Sequence, residues 1–188
     1  DGNGSNSGHV RVYDYNGSAW VQVGNDIEGV ESSPGQDADH LGRSVSLSSD
    51  GTRLAIGATR LDGGNGHVRI YDYTPSGVSS WTQVGVDLQG SDDNFGINVS
   101  LSSDGSRVAI GAASNDGGGT DSGHVRIYDY NGSGWVQVGA DIDGEAASDQ
   151  SGHSVSLSSD GSRVAIGARY NDGNGSNSGH VRVYDYNG

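Results

Sequence analysis

Along Phe95–Ala112 the residues Val99 and Leu101, then Val108 and Ile110, alternate with small polar side chains. A period of two belongs to strands with one face covered. Ser103-Asp104-Gly105-Ser106 separates the two runs. Asp-Gly tolerates the positive φ angles of a tight two-residue turn, so a β-hairpin tipped at Asp104-Gly105 is predicted. Near-copies occupy Leu41–Ala58 and Ser151–Ala168, with tips at Asp50-Gly51 and Asp160-Gly161.

A second repeated segment, Gly-His-Val-Arg-(Val/Ile)-Tyr-Asp-Tyr, begins at Gly8, Gly66, Gly123 and Gly179, in steps of 58, 57 and 56 residues. The chain therefore reads as one repeat array over 1–188, with periods 8–65, 66–122 and 123–178 and a fourth starting at 179. Each period has room for four strands. In the period starting at Phe95 they are Asn98–Ser102, Arg107–Ala112, His124–Tyr130 and Trp135–Val138. Tyr130-Asn131-Gly132-Ser133 is a second hairpin signature, echoed at Tyr15-Asn16-Gly17-Ser18. Loops of Asn, Asp, Gly and Ser such as 171–178, and acidic loops such as 141–151, complete the period. No helical periodicity of any length is present.

Four short antiparallel strands per period predict an all-β fold of repeated blades, β-propeller-like, in which each sheet packs on its neighbours. The ring would close through a longer array or an oligomer, or the blades would stack into an open fibre. Stacking covers both faces of the third strand: Val125 and Ile127 on one, His124, Arg126, Tyr128 and Tyr130 on the other. Trp20, Trp81 and Trp135 each open a fourth strand and are expected to pin it to the next blade rather than to stack a ligand. Arg11, Arg69, Arg126 and Arg182 are expected to pair with Asp on adjoining strands.

Composition narrows the function. Only 31% of the 188 residues are hydrophobic and 34 are Gly, which suits many thin layers better than one thick core. Cys and Met are absent, so neither disulfides nor thiol chemistry contribute. No run approaches the roughly 20 apolar residues of a membrane span, so no membrane insertion is expected. The formal charge of -14 argues against a nucleic-acid partner, which needs clustered cations. An acidic surface rich in Asp, Asn, Gly and Ser points to an extracellular or cell-surface location.

Phe95-Gly96, followed about fifteen residues later by Gly111-Ala112, resembles the FG-GAP repeat, the blade unit of integrin-α-type propellers. Asp149 to Gly161 with Arg163 to Ala168 is similar to the bacterial branch of that family, found in large secreted and surface proteins. The resemblance implies a propeller blade; it implies less about activity. Integrin-type blades often hold Ca²⁺ between their first and second strands. Here that connection is Ser-Ser-Asp-Gly, too short for a cation loop of about twelve residues, and the family site is not carried over. Leu41-Gly42 and Ser151-Gly152 depart from the Phe-Gly pair.

Cation ligands could lie elsewhere. Asp172 and Asn174, and less regularly Asp116 and Asp121, present oxygens at intervals that suit Ca²⁺, the alternative being plain solvated turns. The loop 62–65 is too short for this, and 1–5 repeats 172–176. Asn16, Asn131, Asn98 and Asn174 satisfy the glycosylation sequon, although Asn-Gly also serves the turns. His9, His67, His124 and His180 share one strand position, which marks a structural role; His40 and His153 fall outside it. The irregular segment 30–40 contains Ser, Asp and His without the arrangement of a catalytic site. No phosphate loop, dinucleotide fingerprint or zinc spacing occurs, and no enzymatic activity is expected.

Residues 1–17 are identical to 172–188. Identity at this spacing fits a window cut from a longer array, as does the missing initiator Met, or subunits that overlap head to tail. The expectation is a non-enzymatic extracellular structural or adhesive repeat protein that partners copies of itself. The alternative is a closed ligand-binding propeller taking surface glycans or proteins in its loops.

Overall fold

The computed structural model describes residues 6–30, 38–59, 65–75, 80–90 and 94–187. All its regular elements are strands. The first sheet is a fragment in which β1 (His9–Val10) pairs with β4 (Ile27–Glu28) and β2 (Tyr13–Tyr15) with β3 (Trp20–Gln22). Two full sheets follow. One has the order β5 (Ser44–Leu47), β6 (Arg53–Ala58), β7 (His67–Thr74), β8 (Ser80–Gln83), with β9 (Leu88–Gln89) also on β7. The next repeats this with β10 (Asn98–Leu101), β11 (Arg107–Ala112), β12 (His124–Tyr130), β13 (Trp135–Gln137) and β14 (Ile142–Asp143). The last sheet contains β15 (Ser151–Leu157), β16 (Arg163–Ala168) and β17 (His180–Asp185). All these pairings are antiparallel, as an up-and-down meander requires.

The second and third strands keep the bounds that the alternation sets. The fourth, expected at Trp135–Val138, is β13, which pairs at Tyr128–Tyr130; a further piece that the alternation does not show, β14, pairs at His124–Val125. Gly139, at φ +72°, turns the chain between them. Part of the acidic loop expected over 141–151 is thus sheet.

The turns are corrected too. Leu47 pairs with Leu54, and Ser48 N–H donates to the Arg53 carbonyl at 2.9 Å, so four residues cross the tip. Gly51, at φ +71°, is the tip residue in the left-handed region; Asp50 is outside it. Asp50 instead works through its carboxylate. It accepts from the Ser48 hydroxyl at 2.7 Å and from Thr52 N–H at 3.0 Å, which holds its pKa down at about 2. Asp104 and Asp160 repeat the arrangement.

Three apolar layers lie between successive sheets, the β-propeller-like arrangement. Leu54, Ile56 and Ala58 meet Val10, Val12 and Ile27 of the first fragment. Ala55, Val68, Ile70 and Phe95 meet Val99, Leu101, Val108 and Ile110. Ala109, Val125 and Ile127 meet Val155, Leu157, Val164 and Ile166. The second strand and the start of the third in each central sheet are covered on both faces, which is why His67, Val68, Arg69 and Ile70 are all buried in one strand.

Candidate functional site: the sheet-to-sheet seam

The feature that recurs with its chemistry intact is the contact between one sheet and the next. First strands lie side by side and are stitched by side chains. Ser46 Oγ accepts from Leu101 N–H at 2.9 Å, and Ser100 Oγ accepts from Leu157 N–H at 2.9 Å. Asn98 Oδ1 accepts from Val155 N–H at 3.0 Å, and Ser44 donates to the Gly96 carbonyl at 2.8 Å. At the hairpin tips Ser49 N–H donates to Ser103 O and Ser103 N–H to Ser159 O, both at 2.8 Å. The small polar residues of the alternation thus supply acceptors to the neighbouring backbone, which would otherwise be buried without a partner.

Arginine clips reinforce the stitch. Arg53 is held bidentate by Asp72 at 2.6 and 2.7 Å, and its free arm donates to the Gly105 carbonyl of the next sheet at 3.1 Å. Its guanidinium lies 4.5 Å from the Tyr130 ring centre, also on the next sheet. Arg107 repeats this with Asp129, the Gly161 carbonyl at 2.8 Å and the Tyr186 ring at 4.5 Å. Backbones approach so closely that a Cβ on Gly57 would stand 2.0 Å from Gly96 O, and one on Gly111 1.9 Å from Gly152 O. Glycine is obligatory at both positions.

A second network sits at the mouths of the sheets. Arg11, Arg69 and Arg126 pair with Asp26, Asp87 and Asp141 respectively, as expected of the strand-three arginines. Arg182 departs: its partner is Glu145, contributed by the loop of the preceding period. Asp39, fully buried, faces Arg69 at 2.9 Å and His67 Nε2 at 3.3 Å. Burial pushes the His67 pKa below its ordinary value although Asp39 pulls it up. The repeated histidines therefore differ in setting: His67 and His124 are buried, while His9 is exposed.

The tryptophans are corrected in direction. Trp81 donates from its indole to Val23 O at 3.0 Å, and Trp135 packs on the layer shared with Val68 and Ile70; both reach back to the preceding sheet. Trp20 is exposed at 70%. Tyr15, Tyr73 and Tyr130 lie tilted against the three tryptophans, with ring centres 5.2–5.5 Å apart.

The candidate cation ligands fall into two separate loops. Asp116 Oδ1 accepts from Asp121 N–H at 2.8 Å, and Asp172 Oδ1 accepts from Asn177 N–H at 2.6 Å, so both carboxylates close their own turns. Asn174 is exposed in the second loop. Sequence reasoning missed a different grouping: His124, Asp141 and Asp143 offer ligand atoms within 4.8 Å of one another, where Asp141 already holds Arg126. Of the sequon asparagines, Asn16 and Asn131 accept three turn hydrogen bonds each through Oδ1, and Asn98 lies on the seam. Within the irregular 30–40 segment, 31–37 lie outside the described residues, as do 1–5 and 62–64.

Residues 140–184 match the family model of the FG-GAP repeat. The match contains Asp149–Gly161 and Arg163–Ala168, the residues on which the resemblance rests, and that stretch of the chain is FG-GAP-like. Curated protein sequences give no significant match. Among solved structures, a chain of Kuenenia stuttgartiensis hydrazine synthase is similar at 16% identity and a TM-score of 0.49. The alignment covers 87% of this chain, which spans about half (48%) of the length of that one. Nothing about the present chain rests on that distant likeness.

Proposed function

We propose that the chain is a non-enzymatic, extracellular structural or adhesive repeat module, whose sheets stack in series and whose end faces join copies head to tail. One observation carries this reading: the two halves of the seam, joined between the second and third sheets and between the third and the last, are bared at the groove beside the first fragment and on the last sheet. Val99 and Leu101 are 6% and 7% exposed, whereas Val45 and Leu47, their counterparts one period earlier, are 55% and 47% exposed. At the other end the Arg163 side chain is 60% exposed, against 14% for Arg107. Exposed apolar surface of this kind marks an association face. The acidic composition and the FG-GAP resemblance support a secreted or surface setting.

Sedimentation over a range of concentrations, with negative-stain imaging, tests the proposal. Mass that rises with concentration, accompanied by rings or filaments, is expected. A single-chain mass at every concentration overturns the reading.

A further inference from the structure

We infer that the joint between copies is a shared sheet made by strand exchange: β1–β2 of one copy takes the place of β17 on β16 of another. This inference rests on the head-to-tail reading above and specifies its chemistry.

A groove of about 440 Å³ opens beside the first fragment, lined by Val10, Val12, Trp20, Val45, Leu47 and Leu54. Its occupant can be read from the interior of the chain. Val99 and Leu101 are covered there by the strand carrying Ala55, and Val155 and Leu157 by the strand carrying Ala109. The next strand in that series is β16, whose Ala165 is less buried than Ala55 or Ala109. A β16 seated in the groove would cover Val45 and Leu47 as its counterparts cover theirs. It would also align Ser156, exposed on β15, with Leu47 N–H, as Ser46 is aligned with Leu101.

Once β16 is in the groove, its outer edge meets the outer edge of β1–β2. Among the described residues β1 and β2 pair on one side alone, with β4 and β3. On β16 that position is already held by β17, which has the same sequence, His-Val-Arg-Val-Tyr-Asp. The incoming strand can therefore adopt the existing register, His9 opposite Ala168 as His180 is now, and Val12 opposite Ala165 as Val183 is now.

Attachment to the neighbouring sheet decides which copy yields. β1 is anchored to the following sheet: Ser7 is 1% exposed, its carbonyl accepts from Leu41 N–H at 3.0 Å, and Gly8 bridges Leu41. β17 has Val181 and Val183 exposed at 68% and 60%. The exchange restores the pairing on β16, adds β3 and β4 to the completed sheet, and frees β17, whose sequence the incoming segment duplicates. Extended segments adding to a sheet edge in this way gain affinity from the main chain.

The chain has no cysteine, so single introduced thiols report the joint. Paired strand positions lie within disulfide reach. His9→Cys and Ala168→Cys variants of the 188-residue chain are mixed and oxidised, with Ser18→Cys plus Ala168→Cys as the comparison and Ala168→Cys/His180→Cys as the check that the altered chain folds. The expected result is a two-chain disulfide product from the first mixture and none from the second. Assembly by sedimentation without the His9–Ala168 product overturns strand exchange and leaves head-to-tail stacking standing. A single-chain mass throughout overturns both. Should Ala168→Cys fail to close the intrachain check, Val12→Cys with Ala165→Cys repeats the test in the same register.

Discussion

β5 and β10 have nearly the same sequence, Ser-Val-Ser-Leu and Asn-Val-Ser-Leu, and the same partners within their own sheets. They differ in what lies in front of them. β10 has the strand of Ala55 against it, and its two apolar residues are buried; β5 faces the open groove, and its two are about half exposed. A residue's weight in this molecule is set less by its own strand than by whether a neighbouring sheet is present, as expected of a stack in which each unit contacts only its neighbours.

The sharpest way to break this comparison is truncation of the paired leucines. In dilute solution Leu101→Ala is expected to destabilise the chain by about 2–5 kcal/mol, and Leu47→Ala by about 1 kcal/mol or less, read by denaturant unfolding. Equal losses would show that position within the stack does not matter. A Leu47 penalty that grows with protein concentration would sharpen the comparison, since it would locate the missing cover in another copy.

Gly111→Ala is expected to cost about 1–3 kcal/mol, because its Cβ would run into the Gly152 carbonyl at 1.9 Å. Gly167→Ala, one period later, is expected to cost less, since its close contact is the movable hydroxyl of Ser154. Ser100→Ala removes the acceptor for Leu157 N–H and should cost about 1 kcal/mol, whereas Ser156→Ala, at the exposed end, should be neutral within about 0.5 kcal/mol. Amide hydrogen exchange at Leu157 would report the first directly.

Acid provides a milder probe, because the turn carboxylates Asp50, Asp104 and Asp160 serve three successive sheets alike. Asp50 and Asp160 have folded pKa values of about 2, held down by serine hydroxyls and backbone N–H groups, against about 3.9 unfolded. As the pH falls below about 4 the unfolded chain binds protons that the folded chain does not, so the contribution present above pH 4 is lost progressively toward pH 2. Unfolding free energy should fall across that window, and Asp104→Asn should flatten the fall. The buried His67, with its lowered pKa, acts in the same direction at higher pH: its contribution is present above about 6.5 and declines as the unfolded imidazole becomes protonated.

The second and third strands were legible to the residue at Arg107–Ala112 and His124–Tyr130, because alternation there is strict and bounded by turn residues. The second half of the fourth strand was not. Ile142–Asp143 pairs over two residues, too few to show a period, and the turn at Gly139 hides its continuity with Trp135. Asp50 and Asn16 were seen as turn residues, yet their work lies in side-chain acceptance rather than in backbone angles. Ser46 and Ser100 read only as small polar alternates. Their hydrogen-bond donors lie 55 and 57 residues further along the chain, and no local pattern announces such a partner.

The arginine clip has a consequence for symmetry. Arg53 and Arg107 each reach forward, to a glycine carbonyl and a tyrosine ring on the following sheet, so the sheet of Arg107 receives on one side and gives on the other. Two unlike surfaces cannot satisfy one another across a dyad axis. In the proposed head-to-tail assembly any contact built from this motif is vectorial, and altering Arg163 alone would blunt one pole of the particle while its opposite pole stays competent.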